Sequence, residues 1–369
     1  MVKRLKINTS VVSTYISQSN VSIDFLREKV KNIDQILSGE IDPTFDQLSK
    51  IAKKINVPTG LLLLDKPIDK SKTRLEFRTL NSTSVDEMSP ELRDTILEMQ
   101  EKQNFLREEV ENECAFVGMF TLQDDDEKIL EKIYSYLGTE ISPHRFNVYR
   151  DKIGKLGVFI FLNGKVKDNT HRGLSIGEFR GFVLVDKKAP LIFINQKDSN
   201  KGRLFTLIHE FVHLFFGDSD VLSNYNSISH TQLEAKINRI TAEILLPKQL
   251  LIEKFDREKS IDENLENLAK YFEISRFVVL RRLYDLKYIS KEVYSALNDT
   301  LEKEFLKRSN NPEKSSNGNY NNNLKYRIDR HFVNYVDNAV KQNRLSYTDA
   351  FNIIGVGYKG YQVLIGNGV

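Results

Sequence analysis

Two histidines and a glutamate interrupt an apolar stretch, GRLFTLIHEFVHLFFG, at positions 202–217. The stretch predicts a buried helix, and such helices seldom hold charged or titratable groups without a reason. His209 and His213 are four residues apart, so they lie on one helix face, one turn above each other. Their ring nitrogens can bind one zinc ion at about 2.0–2.1 Å. Glu210, beside them, can take a proton from metal-bound water and pass it to a leaving amine.

The pattern His-Glu-x-x-His is rare by chance in this chain, which has only six histidines in 369 residues. These frequencies give about 0.01 expected matches. The alternative is a pair of core histidines with satisfied hydrogen bonds, which would need polar partners inside an apolar helix. We therefore predict one zinc ion per chain, held in part by His209 and His213.

A catalytic zinc site needs a third protein ligand and one open position. The downstream candidates are Asp218, Asp220, His230, Glu234 and Glu243. Glu234 is preferred to Glu243 because Asn238 follows it by one turn and can hydrogen-bond a ligating histidine. The sequence does not identify the group that stabilises the oxyanion; His230 and Tyr225 are candidates.

Short strands and helices must position these residues. VFIFLNG, FRGFVLVD and APLIFINQ have the composition of strands and precede the histidine helix. A second helix is expected from about Thr231 to Leu246, with Ser229 and Gln232 as a capping box and Pro247 at its end. The fold class predicted is α+β, a small sheet with the active-site helices, flanked by mostly helical regions.

The stretches FRGFVLVDKKAPLIFIN, GRLFTLIHEFVHLFFG and EAKINRITAEILLP resemble the ImmA/IrrE-type zinc metallopeptidases. The resemblance implies a zincin-like core. Matching the shared Asn238 and Pro247 also places the family's zinc-binding glutamate on Glu234. Val212 stands where the family usually has glycine, and Ile237 where it has alanine, but neither change touches a ligand.

The resemblance implies an endopeptidase that cuts a partner protein. In relatives the partner is typically a helix-turn-helix repressor, whose cleavage switches on stress or mobile-element genes. Two alternatives stay open. One is a DNA-binding regulator or sensor with a structural or vestigial zinc site, and the other is a toxin–antitoxin or phage-defence component.

Residues 1–70 resemble the Xre-type helix-turn-helix region found before such peptidase domains, as in GEIDPTFDQLSKIAKKINVPTGLLLL. DNA binding, docking of a repressor and a structural lid all remain open for this segment. Asn32 and Gln35 could read bases, but Asp34 and Glu40 would lie near phosphates. A second segment with this pattern has Ser275 at its turn and Arg276, Arg281 and Arg282 nearby, and packing under the zinc site is preferred there to DNA contact.

The predicted organisation is a helix-turn-helix module (1–70), a linker and connecting helix (71–118), a peptidase domain with a helical extension (119–305), a flexible linker (306–324) and a small C-terminal region (325–369). That last region is expected to be helical at first and then to form one strand, YQVLIGNG. A net charge of +3 neither demands nor excludes nucleic acid. One cysteine, no signal peptide and no long apolar run predict a cytoplasmic protein.

Overall fold

The computed structural model describes residues 4–17, 19, 21, 23–55, 57, 59–66, 88–139, 145–217, 228–309 and 319–366. These residues fall into two compact units. Unit 1 contains the described residues up to Arg93, and unit 2 contains those from Asp94 onward. No helix in the described part of the chain is long and apolar enough to cross a membrane.

Unit 1 is built from short helices around an apolar centre that includes Leu26, Leu48 and Ile51. Its helices are α1 (Thr9–Ser17), α2 (Ile23–Lys29), α3 (Ile33–Leu37), α4 (Phe45–Ile55) and a 3₁₀ helix (Thr59–Leu63). Thr44 starts α4 with a reciprocal cap, since its hydroxyl accepts from Gln47 N at 3.2 Å while its own N–H donates to the Gln47 side chain at 2.9 Å.

Helix α5 (Pro90–Glu109) follows. Unit 2 then holds three strands and twelve further helices among its described residues. Before the metal-site helices come α6 (Asp126–Leu137), α7 (Arg145–Lys155), β1 (Phe159–Asn163), β2 (Gly181–Leu184) and β3 (Leu191–Asn195). The remaining helices are α8 (Asn200–Phe216), α9 (Ile228–Leu245), α10 (Lys248–Lys254), α11 (Ile261–Tyr271), α12 (Arg276–Asp285), α13 (Lys291–Ser309), α14 (Tyr320–Arg327), α15 (Arg330–Lys341), α16 (Tyr347–Ile354) and α17 (Tyr358–Leu364).

The sheet has the strand order β1-β3-β2, with β3 parallel to β1 and antiparallel to β2. Alternate residues of a strand point to opposite faces, and here the two faces differ in composition. Ile160 and Ile192 join the apolar core that contains α8. Phe161 faces the other way, and its ring lies 5.2 Å from that of Phe332 in α15. The sheet therefore separates two apolar layers, which agrees with the predicted α+β, zincin-like fold.

Helix α9 corrects the prediction for its start. It begins at Ile228, so Ser229 lies inside the helix and not in front of it. An N-cap residue needs extended backbone angles, which a residue inside a helix cannot adopt. The predicted Ser229–Gln232 capping box is therefore wrong, whereas the helix does end just before Pro247, as expected.

The C-terminal region also differs from the prediction, because the first four residues of YQVLIGNG belong to α17 and do not form a strand, whereas residues 367 and 368 lie outside the described part of the chain. The rings of Tyr358 and Tyr361, three residues apart, both contact Phe351, as residues on one helix face do. The predicted linker 306–324 is helical at both of its described ends, since α13 continues to Ser309 and α14 begins at Tyr320. Residues 310–318 lie outside the described part of the chain.

Asp329 attaches this region to the sheet. One carboxylate oxygen accepts from Ile160 N in β1 at 3.0 Å, and the other accepts from Phe332 N at 3.0 Å and so caps α15. Arg150 donates to the carbonyl of the same Ile160 at 3.2 Å. The residues of the C-terminal region thus cover one face of the sheet and engage the outer edge of β1.

Candidate metal centre

Helix α8 is fixed at both ends. Its N-cap, Ser199, accepts from Gly202 N at 3.0 Å. At the other end the carbonyls of Leu214 and Phe215 accept from backbone N–H groups of segment 118–120, each at 2.9 Å. Some of the N–H groups at the start of α8 and of the C=O groups at its end therefore have hydrogen-bond partners outside the helix ladder, which leaves the helix little freedom to move.

Helix α9 is held in its orientation by charged contacts with the start of α6. Lys236, buried in α9, donates to the carbonyl of Leu122 at 3.1 Å and pairs with Asp126 at 3.1 Å. Arg239 pairs with the same carboxylate at 2.6 Å. These contacts lie two and five residues after Glu234, so they fix the part of α9 that carries it.

The two helices bring His209, His213 and Glu234 together. The Nε2 atoms of the two histidines are 3.0 Å apart. Nε2 of His213 lies 3.2 Å from Oε1 of Glu234, and Nε2 of His209 lies 3.6 Å from Oε2. Two histidine nitrogens from α8 and the carboxylate of Glu234 from α9 therefore surround one point.

These distances fit a tetrahedral zinc ion. With bonds of about 2.0–2.1 Å, two ligands of such an ion lie about 3.3–3.4 Å apart, and the three measured separations fall on either side of that value. Two imidazoles and a carboxylate are also a usual donor set for catalytic zinc. The side chain of Glu234 is 22 % exposed against 6 % for His213, so the group opens to solvent on the side of Glu234.

The other ligand candidates do not join this group. Glu243 lies near the end of α9, where it pairs with Arg282 and accepts from Lys248 N. The backbone of His230 lies in α9, while Asp218, Asp220 and Tyr225 lie outside the described residues. The structure thus brings Glu234, and not Glu243, to the histidines.

Glu210 is buried, with 4 % of its surface exposed. The pKa of this carboxyl group is raised to about 7, mainly by burial; His213 acts to lower it and the Glu234 carboxylate acts to raise it. Gly181 of β2 lies directly beside Glu210. A Cβ on that glycine would meet the methyl group of Thr206, and it would come within 2.8 Å of the carbonyl oxygen of Phe193. Only glycine allows α8 to lie this close to the sheet.

The two histidines are shifted in opposite directions. Burial, reinforced by His213, lowers the pKa of His209 to about 3. Burial also acts to lower the pKa of His213, but its hydrogen bond with Glu234 and the nearby Glu210 carboxylate outweigh that effect and raise it. A neutral His209 presents a free nitrogen lone pair, which is the form that binds a metal.

Asn238 lies near His209, as its position one turn after Glu234 suggested. Its side chain acts to raise the pKa of the His209 ring. No hydrogen bond of proper length and angle joins the two side chains, since Nδ1 of His209 is buried and has no partner. A zinc ligand usually donates from its second ring nitrogen to a neighbouring acceptor. The unpaired Nδ1 atom next to an amide is therefore consistent with a histidine prepared to bind through Nε2.

Several residues that hold the site together gave no clear signal in the sequence. Arg145 is the largest example, with 2 % exposure and bonds of 2.9 Å to the carbonyls of Leu245 and Phe272, near the end of α9. Arg282 belongs to the segment for which packing was preferred to DNA contact, and it is buried against Glu243. Arg276 and Arg281 are also paired within unit 2, with acidic residues of their own region.

A histidine helix of the HExxH type, packed on a small mixed sheet and joined by a glutamate from the next helix, defines a zincin-like metallopeptidase. Residues 154–284, about a third of the chain, match the family model described as Peptidase_M78, IrrE N-terminal-like domain. This part of the chain is thus similar to an IrrE N-terminal-like peptidase domain, a family that implies zinc as the metal. No curated protein sequence matches the chain.

Proposed function

We propose that the chain is a zinc endopeptidase in which His209, His213 and Glu234 bind the metal and Glu210 is the general base. The observation that carries this proposal is the group formed by His209 and His213 of α8, which also holds Glu210, and Glu234 of α9, with nitrogen and oxygen atoms 3.0–3.6 Å apart. The match of residues 154–284 to a peptidase family supports it independently. A protein or peptide is then the substrate.

A zinc ion in this position supplies Lewis-acid chemistry, because it lowers the pKa of a coordinated water to about 7 and polarises a substrate carbonyl. Glu210 takes the proton of the attacking water on its carboxylate and delivers it to the nitrogen of the leaving amine. His209, His213 and Glu234 keep their orientation throughout, because α8 and α9 are fixed by their caps and ion pairs.

Strand β2 offers a place for the substrate backbone. It is an edge strand, and its hydrogen-bonded pairs with β3 are those of Phe182 and Leu184, so the N–H and C=O groups of Gly181 and Val183 point away from the sheet. Within the described residues no hydrogen bond engages those groups. An extended peptide can add to this edge through main-chain hydrogen bonds and pass beside Glu210, and we propose that the substrate binds in this way.

The direct test measures metal and cleavage together. We expect about one zinc per chain, lost on treatment with a chelator and in His213→Ala. Glu210→Gln is close to isosteric, so it should retain the zinc and lose hydrolysis by a factor of at least about 10². A wild-type chain without metal would refute the zinc site, and full hydrolysis by Glu210→Gln would remove that residue from the mechanism.

We further propose that the substrate is a helix-turn-helix repressor whose cleavage derepresses stress or mobile-element genes. The resemblance of the site to ImmA/IrrE-type peptidases supports this choice. The test is to incubate the zinc-loaded protein with the repressor encoded beside it and to search for one defined cut by mass spectrometry. An intact repressor, combined with cleavage of an unrelated unfolded protein, would refute this substrate but not the peptidase.

Unit 1 is proposed as a helix-turn-helix module, because α2 and α3 are joined by a three-residue turn with Asn32 in the left-handed conformation. Arg27 at this turn is engaged by Asp34 and Asp24, at 3.0 and 2.5 Å. Its charge is partly neutralised, which favours docking of a protein over contact with phosphates. A salt-dependent gel shift with a defined operator would favour DNA binding instead.

A further inference from the structure

A polar cleft separate from the metal centre lies in unit 2, on the face of the sheet that points away from α8. Its walls come from α5, β1, α14 and the end of α16, and its volume is about 360 Å³, including the solvent at its mouth. Phe161 and Phe193 form its apolar part. Its polar groups belong to Glu98, Lys102, Asn163, Lys167 and Arg327.

Arg327 is the most informative of these residues. It is 6 % exposed, and two arms of its guanidinium are bonded, one to Asn163 Oδ1 at 3.1 Å and one to Asp168 Oδ1 at 3.2 Å. Its Nε atom is buried without any hydrogen-bond partner. A buried donor on a charged group is costly to leave unpaired, so something other than this chain is expected to satisfy it.

Lys102 adds a second buried cation, 2 % exposed. Its ammonium donates to Glu98 at 2.8 Å and to the carbonyl of Ile353 at 2.9 Å. An ammonium has three N–H donors, so one remains. Lys167, at the rim, is exposed and adds a third positive charge.

The cleft therefore has an excess of donors and of positive charge. Three cations line it against the single carboxylate of Glu98, and Asp168 outside the lining offsets part of Arg327. This balance favours an anion over a metal cation or an amine as the ligand. Nε and Nη2 of a guanidinium form a fork that can bind two oxygens of one anion, and in Arg327 Nε is unpaired while Nη2 donates to Asp168.

We propose that this cleft binds a small oxyanion, a phosphate or carboxylate group, between Arg327, Lys102 and Lys167. The bound anion would connect α5, β1 and α14, which come from distant parts of the chain. A ligand that binds only the folded state stabilises it, so occupancy should raise the melting temperature. This proposal does not depend on the peptidase activity.

The experiment titrates the full-length protein with inorganic phosphate and, separately, with malonate at constant ionic strength, and follows heat of binding and melting temperature. We expect saturable binding of one of the two anions, with a Kd below about 1 mM. The anion that binds identifies the source of the oxygens as a phosphate or a carboxylate. The absence of saturable binding for both anions would overturn the proposal.

Variants separate the cleft from general charge effects. Arg327→Gln should weaken binding by at least about tenfold. Lys167→Asn should weaken it less and leave the fold intact, since asparagine tolerates the positive φ of 50° at this exposed position. The matched control is Arg344→Gln, which removes an exposed ion pair with Glu109 in the same unit. Equal affinity in Lys167→Asn and Arg344→Gln, even if Arg327→Gln fails to fold, would contradict the proposed site.

Discussion

Asn238 is a residue that could tune the proposed metal site without binding the metal, since its side chain interacts with His209. Nδ1 of His209 is buried and unpaired, and the Asn238 side chain lies close to it. When Nε2 binds a metal, Nδ1 carries the proton and needs an acceptor. We infer that the Asn238 amide oxygen closes this hydrogen bond in the metal-bound state.

Asn238→Ala is therefore expected to lower zinc affinity by about 10- to 100-fold while the fold is retained. Competition with a chromogenic chelator measures this change. Gln232→Ala is the control, since Gln232 is an exposed residue on the same helix. If the two variants bind zinc equally well, Asn238 has no part in supporting the ligand.

At this scale the sequence was informative because the chemistry is contiguous. His209, Glu210 and His213 fall within five positions, and helix geometry alone predicts their common face. Glu234 lies 21 residues beyond His213, so spacing could only rank it against Glu243, and the family resemblance strengthened the preference. The unpaired Nδ1 of His209 could not be predicted, because it depends on distances of tenths of an ångström between two helices.

Among the elements, the contact of α8 with β2 decides where Glu210 lies. Gly181 in β2 leaves the space that Thr206 and Glu210 occupy, and its absent side chain brings helix and sheet together. The sequence showed this glycine only as a part of a family-like strand. Its packing role was hidden because Gly181 and Thr206 are 25 residues apart and meet only after the β2–β3 turn has formed.

Gly181→Ala should force α8 and β2 apart, because the added methyl group would meet Thr206 and the Phe193 carbonyl. We expect a loss of about 1–3 kcal/mol in the free energy of unfolding, measured in urea, together with a fall in hydrolysis. Gly177→Ala is the control, since the nearest atom to its Cβ would be Ser175 Oγ at 3.7 Å. Unchanged stability and hydrolysis in Gly181→Ala would mean that the helix does not need this close approach.

In unit 2 as a whole, the C-terminal region packs as part of the peptidase fold. Phe332 packs on Phe161, and Asp329 bonds to β1. The composition of the C-terminal region did not predict this packing, because the residues that make contact with the sheet are more than 160 positions away from it in sequence. The strand expected at YQVLIGNG was wrong for a related reason, since the aromatic contacts of Tyr361 that favour a helix come from α16.

Asp329→Ala should destabilise unit 2 by about 1–3 kcal/mol, because it removes the cap of α15 and leaves Ile160 N unpaired in a buried place. Urea unfolding followed by circular dichroism measures the loss. Asp329→Asn keeps one acceptor oxygen and should recover part of the stability. Equal stability of the alanine variant and the wild type would show that the contact between Asp329 and β1 contributes nothing.

The contact between Asp329 and Ile160 also has a consequence in time. A ribosome adds about 5–20 residues per second, and 169 positions separate the two partners. Synthesis of Asp329, which covers the edge of β1, therefore follows synthesis of Ile160 by roughly 10–30 s. During that interval the nascent chain presents an uncapped strand edge that can pair with other chains. Because β1 precedes Asp329 by so many residues, we expect the chain to need chaperones during its synthesis. A product truncated before Asp329 would keep that edge exposed permanently.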